Sequence, residues 1–285
     1  MDGPVVVGLD GTGNSAPAVR WGVAEAAARK LPLHLLHSWS AAHWPASLAR
    51  EEADLRRHGT EVLVRAEAVV EELHPGMHVV PELVGEEAPD ALAERSGTAA
   101  VLVLGSRRHD AIAGFLLGSV SLRVLGRAEC PVVTVREDAR SAVPAREIVV
   151  GVREPGADEA VLDYAFTAAE AHRVGLCAVH AWMPGTAPGG LDTPRADHRE
   201  DAVRAADECE PLRAGLVPWR EKFPEVHTVE RVVEGRAAAV LLRAGSRAGL
   251  LVIGRQPHRS PMPLGPAVLA LLHHSCCPVA VVPRR

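Results

Sequence analysis

A chain of 285 residues is long enough for two domains of ordinary size. With 47% hydrophobic and 24% charged residues it is globular material, which excludes a disordered chain. The net charge of −5 leaves no basic field for a nucleic-acid backbone.

In chain order, an apolar run near 4–9 predicts a strand, and a helical stretch follows near 15–30. Strands near 33–38, 77–84, 100–104 and 131–136 then alternate with helical stretches near 49–73, 87–96 and 119–127. Runs such as Val5–Leu9 and Val101–Leu104 are apolar throughout, as strands covered by helices on both faces must be. Pro131 opens the last strand, where its missing N–H costs least. This alternation predicts an open, doubly wound parallel sheet with right-handed crossovers. Ligands on such sheets sit beyond the C-terminal strand ends, at the switch point in strand order.

The pattern then repeats. Val5-Val6-Val7-Gly8 returns as Ile148-Val149-Val150-Gly151, and His37-Ser38-Trp39 as His180-Ala181-Trp182. Val101 to Gly105 returns as Leu250 to Gly254, and Cys130-Pro131-Val132-Val133 as Cys277-Pro278-Val279-Ala280. One period is close to half the chain, which means a duplicated domain and not a solenoid. The short segment from Asp138 to Ala145 reads as the linker, giving domains over 1–138 and 146–285.

Two loops of the first copy carry candidate chemistry. After the first strand, Gly11-Thr12-Gly13-Asn14-Ser15-Ala16 has the spacing of a dinucleotide-binding turn. That turn needs an acidic residue about 20 positions on to hold a ribose, and Leu33 through Pro45 contain none. A nicotinamide or flavin role is therefore set aside. The plainer reading is a strand-to-helix turn with Asn14 or Ser15 as the N-cap. No G-x-x-x-x-G-K-[ST] loop occurs. After the fourth strand, Gly105 ends the strand and Gly118-Ser119 opens a helix. Amides at 118–120 would point into the crevice, the Ser119 hydroxyl could donate to a phosphate oxygen, and Arg107 and Arg108 would add cations. The competing reading is a turn glycine and an ordinary helix cap.

These residues carry a resemblance. Universal stress proteins begin with a V-V-V-G-x-D-G-S-like segment and end with a G-x2-G-x9-G-[ST] loop and a C-P-V-like strand. This chain is similar: Val5-Val6-Val7-Gly8-Leu9-Asp10-Gly11-Thr12, then Gly105, two residues, Arg108, nine residues, Gly118-Ser119, and Cys130-Pro131-Val132. The resemblance implies two tandem Rossmann-like, five-stranded parallel α/β sheets of the adenine nucleotide alpha hydrolase type. It implies ATP as ligand, with Asp10 at the adenosine end and Ser38 meeting adenine through its backbone. Gly105, Gly118, Ser119 and Val120 would line the ribose and phosphates. Arg108 stands where the family has a second glycine, so it either obstructs close backbone approach or supplies a cation. Pairing through the last strand, within the chain or in a homodimer, is also implied. The edges concerned are Val132–Val135 and Val279–Val282.

The second copy departs from this pattern. Arg153 stands in the place of Asp10, the loop after Gly254 is shorter and rich in proline, and Pro266 replaces the serine and removes an N–H. It reads as a degenerate copy kept for pairing or another ligand. Among the fourteen histidines no H-x3-H or H-E-x-x-H pattern sits on a helix; His37 and His180, recurring at one strand end, read as structural. Five cysteines without a C-x-x-C pair read as reduced thiols. No window approaches 18 apolar residues, so a cytoplasmic protein with no membrane partner is expected. Three functions stay in view: an ATP-binding stress sensor read by a regulatory protein partner, an apo interaction module, and a slow ATPase. The last would need Mg²⁺ and a water-activating group among Asp10, His109 and Asp110.

Overall fold

A computed structural model of the protein describes residues 3–12, 15–40, 52–106, 118–136, 147–183, 198–255 and 264–284. The first half runs β1 (Val5–Leu9), α1 (Ala16–Arg29), β2 (Leu33–Ser38), α2 (Glu52–Leu73), β3 (Val79–Val84), α3 (Ala88–Arg95), β4 (Val101–Ser106), α4 (Ser119–Arg127) and β5 (Val132–Arg136). The second half repeats it as β6 (Ile148–Gly151), α5 (Glu159–His172), β7 (Leu176–Trp182), α6 (His198–Lys222), β8 (Thr228–Glu234), α7 (Ala237–Gly245), β9 (Leu250–Arg255), α8 (Pro266–His274) and β10 (Val279–Pro283). The expected alternation is present in both halves. The expected linker and the first residues of the stretch expected near 49–73 lie outside the described residues.

Each half is a five-stranded parallel array, and the two are joined edge to edge. The sheet has ten strands in the order β3-β2-β1-β4-β5-β10-β9-β6-β7-β8. The seam is the antiparallel pair β5–β10, with Val133 opposite Ala280. Every residue of β5 is buried, as are the first four of β10. Two strands buried on both faces satisfy their open N–H and C=O groups on each other and leave neither edge in water. Of the two pairings expected through the last strand, the one within the chain is present. The outer edges are blunted instead: Pro81 is exposed on β3, and β8 carries Glu230, Arg231 and Glu234.

Alternation along the strands divides the core in two. Val5, Val7, Val103 and Val133 face α1 and α2, and the matching residues Val150 and Val252 face α5 and α6. Val6, Leu102, Leu104 and Val132 face α3 and α4, with Val149, Leu251 and Val281 facing α7 and α8. Where α1 meets α5 across the seam, a charged cluster is buried. Glu25 Oε1 accepts from Arg29 Nη1 at 3.3 Å, and Glu25 Oε2 accepts from His172 Nε2 at 2.7 Å. Among the described residues no helix is long and apolar enough to cross a membrane.

The duplication also preserved a local strain. Helices α1 and α5 both end on a left-handed residue that is not glycine: Lys30 at φ 55° and Arg173 at φ 54°. In each case the next amide bonds back five residues, Leu31 to Ala26 O and Val174 to Ala169 O, so the bend is required. Lys30→Gly and Arg173→Gly should each raise stability by about 0.5–1 kcal/mol, read from the urea midpoint, because glycine takes this backbone without a Cβ clash.

Candidate functional site

The strand order turns at β1, with β2 on one side and β4 on the other. The chain leaves β1 for α1 on one face and enters α4 from β4 on the opposite face, so a crevice opens at their C-terminal ends. A cavity of about 310 Å³ lies there, with Asp10, Ser38, Gly105, Gly118, Ser119 and Val120 all in its wall. Arg107 and Arg108, together with His109 and Asp110, lie outside the described residues.

The floor is apolar, formed by Leu36, Leu92 and Leu104. Strand β1 must be bare at this point, since a Cβ on Gly8 would come within 2.8 Å of Leu104 Cδ2. Beyond it the chain bends through Gly11 at φ 76°, a conformation glycine takes freely. Asp10 holds this bend. Its Oδ1 accepts from the Thr12 amide at 2.9 Å, from the Thr12 hydroxyl at 2.8 Å and from the Ser15 hydroxyl at 2.8 Å. Ser15 Oγ in turn accepts from the Asp10 amide at 2.9 Å. Ser15 therefore occupies the N-cap position of α1 without capping it, contrary to the expectation from sequence. Its hydroxyl is spent on Asp10, and Pro17 has no N–H to offer. Asn14, the other candidate cap, lies outside the described residues.

Ser38 stands at the end of β2 with its hydroxyl donated to Glu86 O at 2.5 Å. That bond ties the end of β2 to the turn before α3, with Ser38 in the cavity wall. On the far side, Gly118 is the N-cap of α4, in an extended conformation at φ −61° and ψ 154°. This backbone is open to any residue, and a Cβ added here meets nothing within 4 Å. Gly118 thus keeps the mouth of the cavity clear rather than relieving strain. The first turn of α4, Ser119 to Ser121, lines the cavity, and the N-terminus of a helix carries its positive end. His37, beneath the β1 end, is structural: Nδ1 donates to Leu9 O at 2.9 Å, and burial pushes its pKa below the ordinary value. His180 makes the same bond to Val152 O at 2.9 Å.

The second half turns the same construction to another use. Asp158, fully buried, stands in the place of Ser15. Its Oδ2 accepts from the amides of Arg153 and Glu154 at 2.7 and 3.1 Å, and its Oδ1 from Arg284 Nε at 2.5 Å. The Arg284 side chain lies across the end of β9: a Cβ on Gly254 would sit 2.6 Å from its Nε. Helix α8 begins at Gly265-Pro266, as α4 begins at Gly118-Ser119, so it lacks one first-turn N–H. Asp158 and Arg284 were not singled out from sequence. Setting Arg153 against Asp10 also sets Asp158 against Ser15, and the acid in a serine's place was the available signal.

Fold and site together define a class: a tandem, doubly wound α/β protein with an open crevice at the switch point of its first half and, in its second half, an arginine laid over the matching strand end. Comparison with known proteins supplies the family. The model of the universal stress protein family matches residues 1–136 and again 144–283. The chain belongs to the universal stress protein family and carries its domain twice. A universal stress protein of Mycobacterium tuberculosis is 32% identical over 289 residues, covering 97% of this chain and 96% of that one. Another, from Mycolicibacterium smegmatis, is 31% identical over 261 residues, covering 88% and 86%. The crystal structure of a universal stress protein from Archaeoglobus fulgidus shares the fold over 100% of both chains, with a TM-score of 0.72 at 17% identity.

Proposed function

We propose that this chain binds ATP in the first-half crevice and serves in the cytoplasm as a nucleotide-dependent stress sensor, read by a regulatory protein partner. The observation that carries the reading is the single cavity gathering Asp10, Ser38, Gly105, Gly118, Ser119 and Val120. Its volume lies at the lower end of the range for small-ligand pockets. Leu36, Leu92 and Leu104 offer an apolar seat for a planar base, and the N-terminus of α4 offers amides and a positive dipole to phosphates. Asp10 serves this site by shaping the β1 turn through Thr12 and Ser15, at the adenosine end. Arg107 and Arg108 would add cations. Mg²⁺, where it accompanies ATP, would be held by the phosphates, since no cluster of three metal-binding side chains occurs among the described residues. The domains divide as 1–138 and 146–285, and the second serves as the pairing domain.

The arginine laid over the matching strand end of the second half favours a further reading, in which the paired halves act as an apo interaction module. One experiment separates the two. Nucleotide is released by acid from freshly purified protein and identified by chromatography, beside Gly118→Ala. Because a Cβ at 118 meets no protein atom, the variant should melt with the parent and bind ATP at least about tenfold more weakly, a change of about 1.4 kcal/mol. ATP in the parent and its loss from the variant is the expected result. An empty parent that shows no thermal shift with millimolar Mg-ATP would end the sensor reading and leave the module.

A further inference from the structure

We propose that the second half acts on the first half's crevice through Arg255, a positioning residue that fixes the helix whose N-terminus lines the cavity. Arg255 is the last residue of β9, and its side chain leaves its own half. Its Nη1 donates to Leu125 O at 2.6 Å and its Nη2 to Ala128 O at 2.9 Å. Those carbonyls belong to the last turn and the C-cap of α4. A cation is favourable at that end of a helix, and a guanidinium fork grips two carbonyls at once. Arg255 is 9% exposed, and among the described residues no carboxylate pairs with it. Among the described residues its charge is answered by the two α4 carbonyls.

Helix α4 has nine residues, so about 13 Å separates the Arg255 grip from Gly118 at the cavity. A rod this short transmits a tilt at one end to the other. The other charged attachments of α4 are weaker. Arg123 pairs with Glu87 and Arg127 with Asp90, and both arginines are more than two-fifths exposed.

The molecule carries its own control. Arg136, at the end of β5, makes the mirror-image reach: its Nη1 donates to Ser275 O at 2.7 Å, at the C-terminus of α8. The two arginines are not a duplicated pair, since Ser106 stands in the place of Arg255 and Pro283 in that of Arg136. Both cross the same seam with the same chemistry, but only Arg255 holds the helix that lines an open cavity. A contribution to seam stability alone would make them equivalent.

This inference rests on the nucleotide reading of that cavity, and its test separates the two. Arg255→Met and Arg136→Met are made in the full chain. Hydrogen exchange is followed over residues 118–128 without nucleotide, and ATP affinity is measured by titration. Arg255→Met should lose protection in α4 and bind ATP at least about tenfold more weakly. Arg136→Met should leave both near the parent values. Arg255→Lys, which keeps the charge and loses the fork, should fall between, and it carries the comparison if the methionine variant does not fold. Unchanged α4 protection in Arg255→Met would overturn the proposal, as would equal weakening of ATP by Arg136→Met. A parent that binds no ATP would sink the nucleotide reading. Loss of α4 protection confined to Arg255→Met would still support the positioning role.

Discussion

Replacing Glu25 with alanine is expected to cost about 3–5 kcal/mol of stability, the usual penalty for breaking a buried ion pair from one side. The Glu25 carboxylate is 1% exposed, Arg29 5% and His172 4%. Removal of the carboxylate takes an acceptor from a buried guanidinium and from a buried ring N–H. Trp21 and Tyr164, at matched places on α1 and α5, are fully buried, and Tyr164 lies near both Glu25 and Arg29. Glu25→Gln, which keeps the shape and one acceptor oxygen, should lose less. The cluster joins the halves, so His172→Ala and Glu25→Ala should be strongly non-additive in a double-mutant cycle by urea unfolding. Additive losses, or a loss below about 1 kcal/mol for Glu25→Ala, would show that the contact does not bind the halves.

The second large effect is expected at Asp158. Its carboxylate organises the whole turn after β6, accepting two amides and the Arg284 guanidinium, which is 11% exposed. Asp158→Ala strands a nearly buried cation and two amides, and should again cost about 3–5 kcal/mol in a urea titration. Asp158→Asn, with an oxygen still facing the amides, should retain part of this. Arg284→Ala should clear the ground over Gly254 without creating a second ATP site, because Pro266 still withholds an amide from the N-terminus of α8. Titration should count one ATP per chain in the parent and in Arg284→Ala. Two per chain would mean that Arg284 alone closes that crevice.

Most of the fold and the outline of the site were legible in the sequence. Fully apolar runs such as Val5–Leu9 can be satisfied only between two helical layers, so their spacing carries the doubly wound topology. The repeat carries the duplication, and a glycine after the fourth strand followed by Gly118-Ser119 marks the crevice, because both lie where such sheets bind ligands. The uses of single polar side chains were less legible. Ser15 is equally suited to capping α1 or to bonding Asp10, and only the course of the Gly11 turn selects the second.

The sequence by itself determined the parallel α/β class, the two copies and the place of the candidate site, since all three follow from local periodicity and backbone chemistry. Tertiary structure alone decided that β5 and β10 merge the copies into one sheet, that Arg284 lies over Gly254 and pairs with Asp158, and that Arg255 grips the end of α4. These contacts join residues more than 120 positions apart. A buried charge takes whichever partner the packed core brings within hydrogen-bond reach, and distance along the chain has no part in that choice.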